Sequence, residues 1–314
     1  YREYERGITT WLNAWLGPLI HHYLRQLNRL MYPSSLSIMQ SSGLTIAADQ
    51  AATRAVNLLL SGPAGGLAAA EYLGKQLGSP RLITFDMGGT STDVALLDGR
   101  IKLTNTGRLA TFPIGVPMAD IHTIGAGGGS IAYIDEGGLL QVGPASAGAD
   151  PGPACYGRGG LLPTVTDANL ILGRLRQGAF LGGRMHLDHG AAGNALAPLA
   201  KRLAIDTTEL AFGIVQIANE HMISALRVVS LQRGFDPREF TLVCFGGAGG
   251  LHFCDLAEAL DITKAVVPVH SGVLSAFGML VAAPGREMVQ TLTASLTSIR
   301  AEVLEQHFAE LIDR

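Results

Sequence analysis

Phe85-Asp86-Met87-Gly88-Gly89-Thr90-Ser91-Thr92-Asp93-Val94 is the stretch that decides the fold. An apolar run, Leu82-Ile83-Thr84-Phe85, leads into it, and a second, Val94-Ala95-Leu96-Leu97, leads out to Asp98-Gly99. Strand, glycine turn, strand is the order of a β-hairpin. Asp86 ends the first strand and Asp93 opens the second. The bare backbone N–H groups of Gly88 and Gly89 can approach a phosphate closely. The hydroxyls of Thr90, Ser91 and Thr92 can donate to phosphate oxygens. A carboxylate beside a phosphate cradle repels the anion unless Mg²⁺ lies between them, so the residues point to a metal–nucleotide complex. A surface hairpin with a turn-rich tip is the alternative.

Two further glycine runs carry information. In Gly125-Ala126-Gly127-Gly128-Gly129-Ser130, the residues Gly127, Gly129 and Ala132 satisfy a loose dinucleotide fingerprint. Ile131 to Asp135 then alternates like a strand, whereas a Rossmann turn requires a helix there. No Gly-Lys-Ser/Thr occurs, which removes a P-loop. Gly127 and Gly128 therefore belong either to a phosphate-facing or cleft loop or to a bulged hairpin. Phe240 to Phe245 reads as a buried strand running into Gly246-Gly247-Ala248-Gly249-Gly250 and a helix through Leu260. Gly246, Gly247, Gly249 and Gly250 offer either a flat ligand surface at a helix start or a tight turn. Asp120 and His122, one residue apart, fall on one side of a strand, as a metal or proton-handling pair or a structural one.

Six motifs in order resemble the hydantoinase A / 5-oxoprolinase family, which includes ATP-binding subunits of ketone carboxylases. They are Ser61 to Gly66, Asp86 to Asp93, Thr123 to Ala132, Val142 to Gly157, Pro163 to Asn169 and Phe245 to His252. The resemblance runs from Arg2 to about Pro284, and Asp-x-Gly-Gly-Thr-x-Thr-Asp is also the phosphate hairpin of actin-like ATPases. It implies an α/β, actin-like (ribonuclease H-like) fold with flanking helices, lacking the N-terminal lobe that family members carry. It implies an ATP-dependent hydrolase that opens cyclic amides such as hydantoin, N-methylhydantoin or 5-oxoproline by phosphorylating the carbonyl. A ketone carboxylase subunit and a non-catalytic nucleotide-binding scaffold are the alternatives. ATP and Mg²⁺ would be the cofactors and a hydantoinase B-type subunit or domain the partner. Asp86 and Asp93 would be catalytic, with Asp86 on the metal. Gly88, Gly89, Thr90 and Thr92 would bind phosphates, and Gly246 to Gly250 would line the adenosine.

The 314 residues predict an ATPase domain over 1–290, with room for two subdomains, and a helical start of a truncated region over 291–314. Tyr1 in mid-pattern and a helical repeat at Leu296, Ile299, Val303, Phe308 and Leu311 read as ends cut from a longer polypeptide. With 47% apolar and 16% charged residues, the chain is globular rather than disordered. A net charge of −3 without a basic run excludes nucleic acid and anionic membrane as partners. Three cysteines, no Cys-x-x-Cys and no leader point to a reducing cytoplasm. Ala265 to Pro284 carries no Asp, Glu, Lys or Arg, but Pro268, Gly272 and Gly278 break it into a strand, a loop and a helix instead of a membrane span.

Helices are expected over Thr9–Met31 (Leu12, Leu16, Ile20, Leu24 and Leu27 on one face), Ala47–Val56, Asp167–Leu175, Asn194–Leu203 and Thr208–Arg233. Ser61 is expected to cap a helix after Pro63. Val142 to Pro163 reads as a long ordered loop. It holds Cys155, which has no base beside it in sequence. His252 reads as a packing residue, and Asp255 and Glu258 as solvated.

Overall fold

A computed structural model describes residues 2–109, 111–295 and 299–313. The chain opens with helix α1 (Glu3–Met31), whose predicted apolar face packs inward through Leu12 and Leu24. Its outer side leaves Trp11 and Trp15 exposed and stacked on each other. A small ribbon, β1 (Ser37–Met39) with β2 (Thr45–Ala47), leads to α2 (Ala48–Thr53). Helix α3 (Ser61–Gln76) then runs into the hairpin, β3 (Arg81–Met87) and β4 (Thr92–Asp98). Short strands β5 (Leu103–Thr104), β6 (Gly107–Leu109), β7 (Phe112–Ile114) and β8 (Met118–Ala119) bring the chain to β9 (Ile121–Ile124). A ribbon of β10 (Ser130–Ile134) and β11 (Leu140–Ser146) follows, with a register shift between Ser130 and Ala132. Helices α4 (Val165–Ile171), α5 (His189–Leu203) and α6 (Thr207–Val229) precede β12 (Thr241–Phe245), α7 (Phe253–Ala259), β13 (Ala265–Val266), α8 (Leu274–Val281) and α9 (Ala301–Ile312).

The main sheet runs β13-β12-β3-β4-β9. β13, β12 and β3 are parallel, and β3, β4 and β9 are antiparallel. Alternation along each strand sends successive side chains to opposite faces. Ile83, Phe85, Met87, Val94, Leu96, Leu242 and Cys244 pack against α6 and α7. Leu82, Ala95, Leu97, Val243 and Phe245 pack against α3 and α8. This second row turns acidic at the carboxyl end of β3, where Asp86 and Asp93 take the next positions on the α3 side.

Several expectations shift. Ser61 is the first helical residue of α3. Leu60, in the left-handed region at φ 58°, precedes it, and no side chain caps the helix. The expected helix at Ala47 begins one residue later, because Thr45–Ala47 pairs with β1. Helix α6 ends at Val229 and is capped by Asp206, while its Phe212 faces solvent. Val303, Phe308 and Leu311 lie on α9, where no residue is buried, and Leu296 lies outside the described residues. Among the described residues no helix is long and apolar enough to cross a membrane.

Helices α3 and α8 touch through glycine. A Cβ on Gly278 would overlap the carbonyl oxygen of Gly65, and one on Gly66 would meet the Phe245 ring at 2.6 Å. Gly278→Ala should therefore destabilise the fold by about 1–3 kcal/mol, the usual range for overpacking. Urea unfolding measures this, and a wild-type midpoint would show that the helices separate freely.

Candidate functional site

Three loops converge where β3 and β12 end. The Gly88–Ser91 tip closes with the Gly88 amide donating to Ser91 O at 3.1 Å. Gly89 and Thr90 are exposed, and among the described residues their amides have no protein acceptor. The loop after β12 comes alongside. Its Ala248 amide donates to Met87 O at 3.0 Å, and Gly246, at φ +80°, lies so close that a Cβ would overlap an Asp86 carboxylate oxygen and Met87 O. Only glycine meets both demands. Gly247 and Gly250 stay exposed, while Gly249 is buried against the Phe85 ring. Asp86 and Gly246, 160 positions apart, thus face one cleft.

The third loop, Gly125 to Ser130, lies beneath the hairpin instead of lining the cleft. Gly127 and Gly128 are buried. Gly128 donates its amide to Gly88 O at 3.0 Å, Gly129 donates to Gly89 O at 2.6 Å, and the Gly127 amide is taken by Ser130 Oγ at 2.9 Å. A Cβ on Gly127 would sit 2.7 Å from Gly89 C and Thr90 N. With their amides used internally, Gly127 and Gly128 support the tip and offer no free amide, contrary to the phosphate-facing expectation. Thr92 needs the same correction. It is fully buried, and its hydroxyl donates to Ala126 O at 2.6 Å, so it holds the third loop in place.

Asp86 and Asp93 stand directly opposite each other across the β3–β4 ladder. Both are partly buried beside a small cavity that Pro63, Leu67 and Phe245 also line. Burial, then the negative charge of Asp93, pushes the Asp86 carboxyl up to about 6, opposed by a hydrogen bond from Ser275. Burial likewise raises Asp93, opposed by the Thr123 hydroxyl, which donates to Asp93 Oδ1 at 2.6 Å. Like charges held this close favour a proton or a cation between them. Sequence reading missed Ser275 and Thr123. Ser275 lies outside the six motifs and Thr123 only opens one of them, and each reaches its aspartate only through tertiary pairing.

The metal assignment to Asp120 and His122 does not survive. His122 pairs with Val94, so it points to the α6 face of the sheet, opposite Asp93. Asp120 is committed to a two-pronged ion pair with Arg233, one contact to Arg233 Nη2 being 3.2 Å. Among the described residues no group of three or more His, Cys, Asp or Glu side chains could hold a metal by itself. Cys155 is fully buried, and burial beside Asp167 pushes its thiol far up, which makes it inert. Larger surface grooves lie elsewhere, one of them lined by Arg100, Lys102, Asp120 and Glu287.

The site is thus a pair of facing carboxylates beside a glycine hairpin, at the carboxyl end of β3 in a mixed sheet. The Hydantoinase/oxoprolinase family profile matches residues 6–288, and the chain belongs to that family. It is 40% identical to caprolactamase subunit alpha of Pseudomonas jessenii over 321 residues, covering 100% of this chain and 46% of that protein. The crystal structure of the ATP-dependent caprolactamase from Pseudomonas jessenii superposes with a TM-score of 0.89 at 39% identity, over 100% of this chain and 47% of that one. Nucleotide-free acetone carboxylase superposes at 0.80 with 29% identity, over 90% of this chain and 40% of that one. The chain thus spans about half the length of the curated relatives it matches.

The raised Asp86 carboxyl fixes a sign. The folded state keeps a proton that the unfolded chain releases near 3.8, so the Asp86 contribution falls as pH rises from about 4 to about 6. Asp86→Asn should therefore melt above wild type at pH 7, with the gap opening between pH 4 and 6 and flat beyond. Calorimetric melts across that range test it. A variant that melts below wild type at pH 7 would mean that the carboxylate is stabilised where it stands.

Proposed function

We propose that this chain forms one wall of an ATP site in an enzyme that opens cyclic amides. The observation that carries the reading is the approach of Gly246 to Asp86, which brings the β12 glycine loop against the hairpin that carries the carboxylate pair. The sheet supports an actin-like (ribonuclease H-like) assignment: three antiparallel strands in sequence, then two parallel strands added beside the first. The half-length match to relatives supports a second wall supplied by polypeptide beyond these residues. Relatives named as a caprolactamase subunit and as a 5-oxoprolinase support the cyclic-amide class, and the subunit name supports a hydantoinase B-type partner. Three free cysteines, two of them buried, agree with a cytoplasmic setting.

Magnesium fits the donor set. Two facing carboxylates give hard oxygen ligands and leave the remaining positions to phosphate oxygens and water, as Mg²⁺ prefers. Asp86 and Asp93 would hold the ion, which would neutralise charge on the transferred phosphoryl group. The amides of Gly89, Thr90 and Gly247 bind and orient phosphate oxygens. Ser275 fixes the rotamer of Asp86, and Thr123 that of Asp93. Transfer of the γ-phosphoryl to the amide carbonyl oxygen releases ADP and leaves a carbon that water attacks; the ring C–N bond then breaks with a proton passing to the nitrogen, and a second water releases inorganic phosphate from the resulting acyl phosphate. Positioning and charge neutralisation supply most of such a rate.

A carboxylase reading uses the same wall to phosphorylate an enolate or bicarbonate, and the acetone carboxylase neighbour favours it. The full-length protein, assayed with ATP against caprolactam, hydantoin, 5-oxoproline and acetone plus bicarbonate, separates the two. A cyclic amide should stimulate ADP release, whereas stimulation by acetone with bicarbonate alone would hand the site to carboxylation. Asp86→Asn should lower turnover by about 100-fold or more, the scale of losing one preorganised charge contact. Unchanged turnover would remove Asp86 from the mechanism. Residues 1–314 alone should bind ATP roughly two or more orders of magnitude more weakly than the full protein, since two or three charged hydrogen bonds are lost. Calorimetry that gave equal affinities would show the second wall to be dispensable.

A further inference from the structure

Helix α4 touches the Gly125–Ser130 loop and, through Asn169, the residue that follows the β12 loop. The amide and the hydroxyl of Thr166 both donate to Gly128 O, at 2.7 and 2.8 Å. The buried Asp167 carboxylate accepts from Ala154 N, Cys155 N, Thr164 N and Thr164 Oγ1. Asn169 then faces His252, the residue that ends the glycine loop and begins α7.

His252 is 1% exposed, and its partners fix its tautomer. Asp255 only accepts, so Asn219 must offer it the amide nitrogen, at 2.8 Å. The Asn219 oxygen then faces His252 Nδ1 at 2.7 Å, which requires the proton on Nδ1. Nε2 is left to accept the longer contact from Asn169 Nδ2 at 3.5 Å. Arg174 closes the network from outside, reaching both Asp255 and Leu251 O. Burial, reinforced by the Arg174 charge, holds the ring neutral. An apolar residue would pack here without any of these bonds. The hydrogen bonds from Asn219 to Asp255 and from His252 to Asn219 instead fix one ring geometry.

We propose that His252 is a positioning residue for the nucleotide side of the cleft: its Nδ1 bond to Asn219 locks the end of the Gly246–Leu251 loop, so that the loop's free amides stay opposed to the hairpin tip. The start of the loop is held separately, by Gly246 N on Ser271 O and Ala248 N on Met87 O. At its far end the His252 side chain ties the loop to Asn219 on α6 and Asn169 on α4, beside the Arg174 contact to Leu251 O. This rests on the ATP reading of the site, but part of its test does not.

Two variants separate the hydrogen bond from packing. His252→Leu keeps volume and loses both ring contacts, whereas His252→Asn places an amide N–H where Nδ1–H stood. In the full-length protein, His252→Leu should speed exchange of the Ala248 and Leu251 amides about tenfold, with β3 and β12 unchanged, and raise the KM for ATP about tenfold with kcat within about twofold, the scale of one lost hydrogen bond. His252→Asn should restore both readouts to within about threefold of wild type. If His252→Leu does not fold, His252→Gln, which shifts its amide away from Asn219, takes its place with the same expectation. Unchanged loop exchange in the disruptive variant overturns the proposal. Equal damage in His252→Asn, or faster exchange across the whole sheet, also overturns it by assigning the residue to packing. A wild-type protein that binds no ATP sinks the nucleotide reading instead, and loop exchange alone then decides the role of His252.

Discussion

Backbone touches backbone where β3 ends, and the geometry of the cleft depends on that contact. Gly246 lies against Asp86 and Met87, and Gly127 lies against Gly89 and Thr90. A single Cβ at either place would force the loops apart by the width of a methyl group. That distance would separate the exposed amides of the tip from those of the β12 loop. The glycines are therefore mainly a device for close approach: those that pack (Gly127, Gly246, Gly249) position those left open (Gly89, Gly247, Gly250).

The same contact imposes an electrostatic constraint. The β3–β4 register sets Asp86 opposite Asp93, and the ladder cannot slip without turning Phe85, Met87 and Val94 out of the core. The sheet thus holds two carboxylates together that would separate if free. Ser275 and Thr123 relieve the repulsion in part, yet both carboxyls remain raised. What is left is a standing preference for positive charge, maintained by the apolar packing on both sheet faces. Placing strain at a site and offsetting it in the core is a common arrangement where function conflicts with stability.

How much of this was legible in the sequence follows from how far apart the interacting groups lie. The hairpin was legible because Asp86, both glycines and Asp93 fall within eight residues, and turn chemistry is local. The strand–glycine–helix element at Phe245 was legible for the same reason. The role of Gly125 to Ser130 was not, because a free amide and a spent one look alike until the Gly88 carbonyl is placed beside it. Thr92 reads as a phosphate donor by composition, yet strand alternation turns it inward to Ala126. Asp120 and His122 do share a side, as their spacing implied, but it is the wrong side of the sheet, and the Arg233 that claims Asp120 is 113 residues away. Asp255, read as solvated, bonds Asn219 on another helix.

The chemistry this wall leaves out is as informative as what it contains. On the proposed reading, its backbone amides, paired carboxylates and hydroxyls recognise phosphate and a hard cation and have little to distinguish one organic substrate from another. Caprolactamase and acetone carboxylase act on unlike molecules, yet each superposes on this chain with a TM-score of 0.80 or more. On the proposed reading, what such proteins share is the activation of an oxygen by phosphoryl transfer, and the glycine loops of this chain serve that step. Substrate choice then belongs to surfaces beyond the glycine loops. The fold can keep the Asp86–Gly246 contact fixed while the rest of the active site changes around it.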